Sequence, residues 1–179
     1  MKTIKYLPLL LLAISFTLFS CGDDDDSTTG GLNIGNVSFD ISGDVQGSKD
    51  GQAALIESSL GSIFFSFNDF NPQTYSLTFN WGPTTTGGGT PIPGEGTYEI
   101  TNSVDASQSN GFWVVYVNTE TGEEYGSIED VSGTLVITDY NSDFIEGNFN
   151  FTANKFDLEG SGGSITVSNG SFTAVNETN

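Results

Sequence analysis

Histidine and arginine are absent from this 179-residue chain, and lysine occurs only four times. Without histidine there is no imidazole general base, no Ser-His-Asp triad and no histidine ligand for a metal ion. Without arginine there is no planar guanidinium group to clamp a carboxylate or a phosphate. The sequence therefore excludes most common enzyme mechanisms, and it predicts a protein with no catalytic residue, no cofactor and no metal site.

Positive charge is scarce, since four lysines stand against 23 acidic residues and the net charge is −19 at pH 7. Lys2 and Lys5 belong to the leader described below, so cleavage before Cys21 leaves two lysines and a net charge of −21. Affinity for DNA or RNA comes largely from cationic contacts to phosphate. Nucleic acid is therefore excluded as a partner.

Cysteine occurs once, so the chain cannot form an internal disulfide, and its stability must come from a packed core. The side chains for such a core are present, because the sequence contains 14 Phe, 6 Tyr and 2 Trp. This aromatic content separates the chain from disordered acidic sequences. Its length predicts a single folded domain.

The first 20 residues, MKTIKYLPLLLLAISFTLFS, have the form of a signal peptide. Two lysines precede a run from Leu7 to Phe19 that contains only apolar residues, Pro8, Ser15 and Thr17. A helix of this length spans about 20 Å, short of the roughly 30 Å hydrocarbon layer of a bilayer. A secretory signal over residues 1–20 therefore fits better than a membrane span.

The leader ends in LFSC at 18–21, which resembles the lipobox of bacterial lipoproteins, although Phe19 is bulkier than the residue usual there. By that resemblance Cys21 is diacylated on its sulfur and becomes the mature N-terminus. The alternative is an ordinary signal peptide with an incidental cysteine. Each buried lipid methylene contributes about 0.8 kcal/mol, so two or more acyl chains would hold the protein at a membrane surface.

Gly22 and four aspartates, Asp23 to Asp26, follow the cysteine, and STTGG completes the segment 21–31. Ser, Thr and Gly lack the apolar surface that would order them, so this segment is predicted to be a flexible acidic tether. The aspartates also resemble the export signal of Bacteroidota lipoproteins, which implies display at the cell surface. A plain solvated spacer is the alternative. The folded domain is expected over residues 32–179.

Alternation of apolar and polar residues with a period of two dominates this domain and predicts strands with one buried face. In TYSLTFNW at 74–81, every second residue from Tyr75 to Trp81 is large and apolar. Similar patterns predict strands at 36–42, 61–68, 96–101, 111–118, 133–140, 143–152, 163–168 and 170–175. Turn signals such as Asn169-Gly170 separate them. The sequence thus predicts an all-β domain of about ten antiparallel strands, either a single β-sandwich or a flattened barrel.

Two features of the domain are candidates for a site. Segment 82–96, GPTTTGGGTPIPGEG, has six Gly and three Pro, and its length predicts a mobile flap without an assigned role. Trp81 and Trp113 are candidate platforms for sugar rings. However, Trp81 ends an inward-pointing series, and Trp113 in FWVVYV has apolar neighbours on both sides. Both are therefore predicted to be buried in the core.

Calcium is a further candidate ligand. Asp139, Asn141 and Asp143 imitate the opening of a calcium-binding loop, but Phe144 stands where glycine is needed and Asn150 where a bidentate Glu belongs. A hairpin turn explains these residues more simply. A second acidic group is also a candidate for weak calcium binding: Glu120, Glu123, Glu124, Glu129 and Asp130.

Three short motifs lie toward the C-terminus: GTLVIT at 133–138, GNFNF at 147–151 and NGSF at 169–172. In these motifs, and in its lipobox and acidic tether, the chain resembles a family of small Bacteroidota lipoproteins without an assigned function. The resemblance implies an all-β domain on a lipid anchor and brings no catalytic residue.

Together these patterns predict a lipid-anchored β-domain of the outer membrane, exposed on the cell surface, that binds a glycan or a protein without catalysis. One alternative is a glycan hydrolase that uses two carboxylates about 5 to 9.5 Å apart. Another is a structural envelope lipoprotein. Exposed aromatics beside two acids in a cleft would favour the hydrolase, exposed aromatics without such acids would favour sugar binding, and a featureless convex surface would favour the structural role.

Overall fold

The structure is a computed structural model that describes residues 35–57, 62–70, 72–82, 93–106, 111–128, 130–157 and 162–176. These residues all belong to one compact unit, 32–179. The predicted signal peptide 1–20, the tether 21–31 with Cys21, and residues 83–92 of the predicted flap lie outside the described residues. No helix in the described ranges has both the length and the apolar character needed to cross a bilayer.

Ten strands and one short helix make up the described part of the domain. The strands are β1 (Gly35–Gly43), β2 (Gly47–Glu57), β3 (Ile63–Asn68), β4 (Tyr75–Trp81), β5 (Gly96–Thr101), β6 (Phe112–Asn118), β7 (Glu123–Gly126), β8 (Val131–Tyr140), β9 (Phe144–Asn154) and β10 (Ser164–Asn176). The helix α1 (Ser103–Ala106) lies between β5 and β6.

The strands form one sheet in the order β4-β3-β2-β1-β10-β9-β8-β5-β6-β7, and a further pairing closes it. β4 pairs with β6 along its whole length, from Tyr75–Asn118 to Trp81–Phe112. Nine strands therefore form a closed barrel, and β7 is an additional strand on β6. The all-β prediction is confirmed. The sandwich is wrong, because the β4–β6 pairing joins into one ring what would be two separate sheets.

A closed ring of nine strands cannot alternate direction throughout, so at least one neighbouring pair must run parallel. That pair is β5 and β6, which meet at Ile100–Phe112 and Thr101–Trp113. Parallel neighbours need a crossover rather than a hairpin. The described part of this connection begins with residues 102–106, and α1 packs against both strands. We call this region, where β5 ends and the crossover begins, the seam.

β7 covers the part of the β6 edge that β5 does not reach. β5 covers only the first two residues of β6, and β7 pairs with the rest of the same edge, at 115–118. The Nζ of Lys155, just after β9, donates to Glu123 Oε1 at 2.7 Å. A backbone bridge between Tyr125 and Lys155 adds to this connection. β7 thus links β6 to the end of β9.

The interior of the barrel is filled with aromatic side chains. The ring centroid of Phe67 lies 5.6 Å from that of Phe79, 5.5 Å from that of Phe149 and 5.3 Å from that of Phe172. Trp81 is 8% exposed, so its predicted burial is confirmed. Such rings bury large apolar areas in mutually tilted contacts and provide most of the favourable free energy of folding. A barrel of about this strand number has room for side chains rather than for a channel.

Asn169 and Gly170 lie within one strand, not between two. The pairing of β10 shifts by one residue against both β1 and β9 around Asn169, whose φ is 54°. This is a β-bulge, and it places two consecutive residues, Ser168 and Asn169, on the exposed side. The prediction of a turn here, and of separate strands at 163–168 and 170–175, is therefore wrong. Asn suits the position because it adopts the left-handed region at little cost.

Candidate functional site

The calcium-like sequence lies at the hairpin between β8 and β9. Asn141 Oδ1 accepts hydrogen bonds from the backbone N–H groups of Asp143 (2.9 Å) and Phe144 (2.8 Å). The amide oxygen therefore closes the turn, and the hairpin explanation is confirmed. Nowhere in the described ranges do three or more acidic or cysteine side chains converge as a metal ion would require.

The members of the second acidic group make different contacts. Glu123 Oε1 accepts from Lys155 Nζ at 2.7 Å, and Oε2 accepts from Thr121 Oγ1 at 3.0 Å. These hydrogen bonds, with that from Lys155 the larger, lower the pKa of Glu123. Asp130 immediately precedes β8, its carbonyl accepts from the backbone N–H of Asn154 at 3.0 Å, and it lines a depression described below. Glu129 lies outside the described residues.

Trp113 is half-buried on the outward face of β6, so the prediction that it belongs to the core is wrong. The inward side of β6 carries Phe112, Val114 and Tyr116, which are all fully buried. Val115 shares the outward side with Trp113 and is also partly covered. Apolar residues on both sides of this strand therefore do not indicate two buried faces. The indole presents an aromatic surface on the outside of the barrel.

A depression of about 390 Å³ lies at the seam. β5 pairs with β8 only as far as Ile100–Gly133. Val131 and Ser132 pair with β9 on one side but have no partner in β5 on the other side. The barrel wall is therefore indented where β5 ends. The depression is lined by Thr101, Asn102, Asp105, Asp130, Val131, Ser132, Thr152 and Asn154. Seven of these eight side chains are polar.

The crossover fixes one rim of the depression. Asn102 precedes α1 as its N-cap, and its Oδ1 accepts from the backbone N–H groups of Val104 and Asp105, both at 3.0 Å. The Nδ2 of Asn102 donates to Asp105 Oδ2 at 3.0 Å. Ser103 N–H donates to the carbonyl of Ser127 at 2.9 Å, which ties α1 to the chain after β7. The Asp105 carboxylate is thereby held in place.

A second depression of about 380 Å³ continues from the first across β8, β9 and β10. The two share Ser132 and Thr152. The remaining lining residues of the second are Gly133, Asn150, Phe151, Thr166, Val167 and Ser168, and none of them carries a charge. Thr152 Oγ1 and Thr166 Oγ1 lie 3.3 Å apart in a hydrogen bond. The surface here is a row of hydroxyl and amide groups.

Trp113 does not line either depression, but it lies on the strand next to one of the lining residues. It pairs with Thr101 of β5 on one side and with Asn80 of β4 on the other. Since neighbouring residues on adjacent strands point to the same side of the sheet, the indole lies beside the Thr101 side chain that lines the depression. We call Trp113 and the two connected depressions the seam trough.

The charges around the trough are negative. The described residues include two lysines, and both have partners: Lys155, which follows the lining residue Asn154, pairs with Glu123, and Lys49 Nζ donates to Thr74 Oγ1 at 3.3 Å. Lys49 Nζ also lies 5.9 Å from the ring centroid of Tyr75. The first depression carries two carboxylates, Asp105 and Asp130.

No family model, no curated protein and no solved structure matches the chain. The resemblance to small Bacteroidota lipoproteins therefore stays a prediction. Of the residues of the seam trough, only Trp113, as a sugar platform, and Asp130, as part of a candidate calcium group, were named as site candidates from the sequence. The others were not predicted as a site, because outward Ser, Thr and Asn on a strand have the pattern of a solvated face. One local signal was available: Asn102 has the sequence position of a helix N-cap before a short crossover.

Proposed function

We propose that the protein is a lipid-anchored, surface-displayed β-domain that binds glycans without catalysing a reaction. Its location rests on the leader 1–20, on Cys21 at the lipobox-like site, and on the aspartates Asp23 to Asp26. Its membership of the small Bacteroidota lipoproteins rests on the same residues together with the C-terminal motifs.

The observation that carries the binding role is that Trp113 neighbours Thr101, which lines a depression rich in hydroxyl and amide groups. A sugar ring has an apolar face of C–H groups that packs on an indole, and a rim of hydroxyls that exchange hydrogen bonds with Ser, Thr and Asn. These features support sugar binding over a purely structural role.

A glycan array tests this function. The mature lipidated protein, purified in detergent micelles, is expected to bind at least one glycan class, and the Trp113→Ala variant is expected to lose that signal. Silence of the native protein over the whole array would contradict the proposal.

The anchor has its own test. Mass spectrometry of the native protein is expected to find an acylated N-terminal Cys21, and an unmodified thiol would contradict the lipid anchor. Replacement of Asp23 to Asp26 by alanine is expected to reduce protease accessibility on intact cells. Unchanged accessibility would leave the aspartates as a spacer.

A second candidate function is glycan hydrolysis, favoured by Asp105 and Asp130 in one depression beside an aromatic ring. A hydrolase uses one carboxyl as an acid and the other as a base or nucleophile. If this function holds, Asp105→Asn and Asp130→Asn would each abolish the release of reducing ends while sugar binding persists. Binding by the native protein without any release would instead support the non-catalytic role.

A further inference from the structure

We infer that the ligand of the seam trough is a neutral linear oligosaccharide, with one sugar ring stacked on Trp113 and the rest of the chain lying across β5, β8, β9 and β10. This inference rests on the proposed glycan-binding function and names its ligand class.

The charged groups of the protein disfavour the binding of acidic glycans in the trough. A uronate, sialate or sulfate group binds a protein by pairing with a cation or with several aligned N–H donors. Lys49 donates to Thr74, and Lys155, although next to the lining residue Asn154, is already paired with Glu123. Arginine and histidine are absent from the sequence. An acidic sugar in the first depression would instead meet Asp105 and Asp130. Desolvating an anion beside two carboxylates is unfavourable, so neutral sugars are selected.

Neutral sugars find suitable partners in the same place. Ionised carboxylates accept hydrogen bonds and donate none, and sugar hydroxyls donate readily. Asp105 is held on the rim by Asn102 Nδ2 at 3.0 Å, so one acceptor is already positioned. Asn154 and Thr152 on β9 offer amide and hydroxyl groups to the opposite side of the ring. The first depression thus combines acceptors, donors and an adjacent aromatic surface.

The extent of the trough indicates an oligosaccharide rather than a single sugar. The two depressions, of about 390 Å³ and 380 Å³, are joined through Ser132 and Thr152. From β6 to β10 the trough crosses four strand spacings of about 4.8 Å, which is roughly 19 Å around the barrel. Its second half carries no charged side chain. A chain of several neutral units therefore matches both its length and its chemistry.

The test uses the mature lipidated protein in detergent micelles and a panel of linear oligosaccharides in neutral, uronate-containing and sulfated forms. Calorimetry is expected to give binding for a neutral member of the panel and at least tenfold weaker binding for its acidic counterparts. Trp113→Ala should weaken binding about tenfold or more, as is usual for a central aromatic contact. Thr152→Val, in the shared part of the trough, should weaken it several-fold.

Two matched variants serve as controls. Phe70 is an aromatic residue that is 63% exposed in the β3–β4 connection, and Thr97 is exposed on β5, and neither lines the trough. Phe70→Ala and Thr97→Val are expected to leave the affinity unchanged. The Tm of each variant verifies that the domain is folded.

The outcomes separate the two proposals. Native binding that survives both Trp113→Ala and Thr152→Val would overturn the trough as the site while leaving glycan binding in place. Preference for the uronate or sulfated form would overturn the neutral ligand class. Absence of native binding across the panel and across the array would overturn the glycan-binding function itself.

Discussion

The hydroxyl of Tyr116 lies inside the barrel without a hydrogen-bond partner among the described residues, as does that of Tyr75. Both side chains are fully buried, and their rings stack with centroids 6.2 Å apart and planes 5° from parallel. A buried hydroxyl that loses its water without gaining a partner costs free energy. Tyr116→Phe is therefore expected to raise the free energy of unfolding in urea by about 1 kcal/mol.

Tyr98 provides the matched control for this change. Its hydroxyl donates to the carbonyl of Gly94 at 2.8 Å. Tyr98→Phe removes the same atom but breaks a hydrogen bond, so it is expected to lower the free energy of unfolding by about 1 kcal/mol. Equal effects of the two substitutions would contradict the assignment of Tyr116 as unpaired.

The buried tyrosines also predict how stability depends on alkaline pH. Burial, the largest cause in each case, raises the pKa of Tyr116 and of Tyr125 from 10.0 to about 12. Burial likewise raises the pKa of Tyr75. Above pH 10 the unfolded chain loses these protons while the folded chain keeps them. Stability should therefore fall from about pH 10 to pH 12, by up to about 1.4 kcal/mol per pH unit for each tyrosine.

Urea unfolding at stepped pH measures this loss, and tyrosinate absorbance reports which protons remain. Tyr116→Phe should make the fall shallower, because one of the groups responsible is removed. A stability that is flat from pH 10 to pH 12, or that rises, would contradict the burial of these hydroxyls.

At the scale of elements, the bulge at Asn169 sets the register of β10 against both neighbours. Its Nδ2 donates to Asp40 Oδ2 at 2.9 Å, and this bond is the largest cause of the lowered pKa of Asp40. Asn169→Val places a β-branched residue at a φ of 54° and should cost about 1 to 2 kcal/mol in urea unfolding.

Asn169→Gly is the control for the bulge. Glycine adopts a positive φ without strain, so this variant should lose less stability than Asn169→Val although it also lacks the amide. In both variants the pKa of Asp40, followed by NMR, should move up toward its ordinary value. If Asn169→Val and Asn169→Gly lose the same stability, then the tolerance of Asn169 for a positive φ is not what stabilises the bulge.

How far the sequence predicts the elements depends on local pattern. β4 was predicted because its alternation is strict over seven residues, and β3 and β6 because they are short, strongly apolar runs with an apolar residue at every second position. β2 was missed, since its first half, GSKDG, has no apolar alternation and is placed by pairing with β1. β7 was missed because four residues starting with two glutamates carry no strand signal, and its place is set by the edge of β6 that β5 leaves uncovered.

The seam exists because the closed ring has an odd number of strands, which no single segment of the sequence reveals. Nine strands require a parallel pair, and the β4–β6 closure that makes the count nine joins segments far apart in sequence. The indentation beside Thr101 exists because β5 ends there. Of the trough, the sequence identifies Trp113 as a candidate platform, but its exposure depends on which strands flank β6.

At the scale of the whole molecule, the dominant feature is a net charge of −19, since four lysines oppose 23 acids. Repulsion among surface carboxylates is stronger in the compact barrel than in the expanded unfolded chain, so it destabilises the fold. The packed aromatic interior offsets this repulsion. The same surface charge keeps anionic ligands away from the seam trough.

Salt should therefore stabilise this protein. The screening length falls from about 30 Å at 0.01 M to about 10 Å at 0.1 M, which weakens repulsion over the whole surface. The half-exposed Lys155–Glu123 pair loses attraction at the same time, but one pair is outweighed by the repulsion among 23 acidic residues. The Tm measured by circular dichroism is expected to rise between 0.01 M and 0.3 M NaCl. Sodium chloride is used rather than a sulfate salt because sulfate also strengthens the burial of apolar groups. Affinity for a neutral oligosaccharide should stay constant over that range, since no ion pair forms on binding. A falling Tm would show that attractive pairs, not repulsion, dominate the surface.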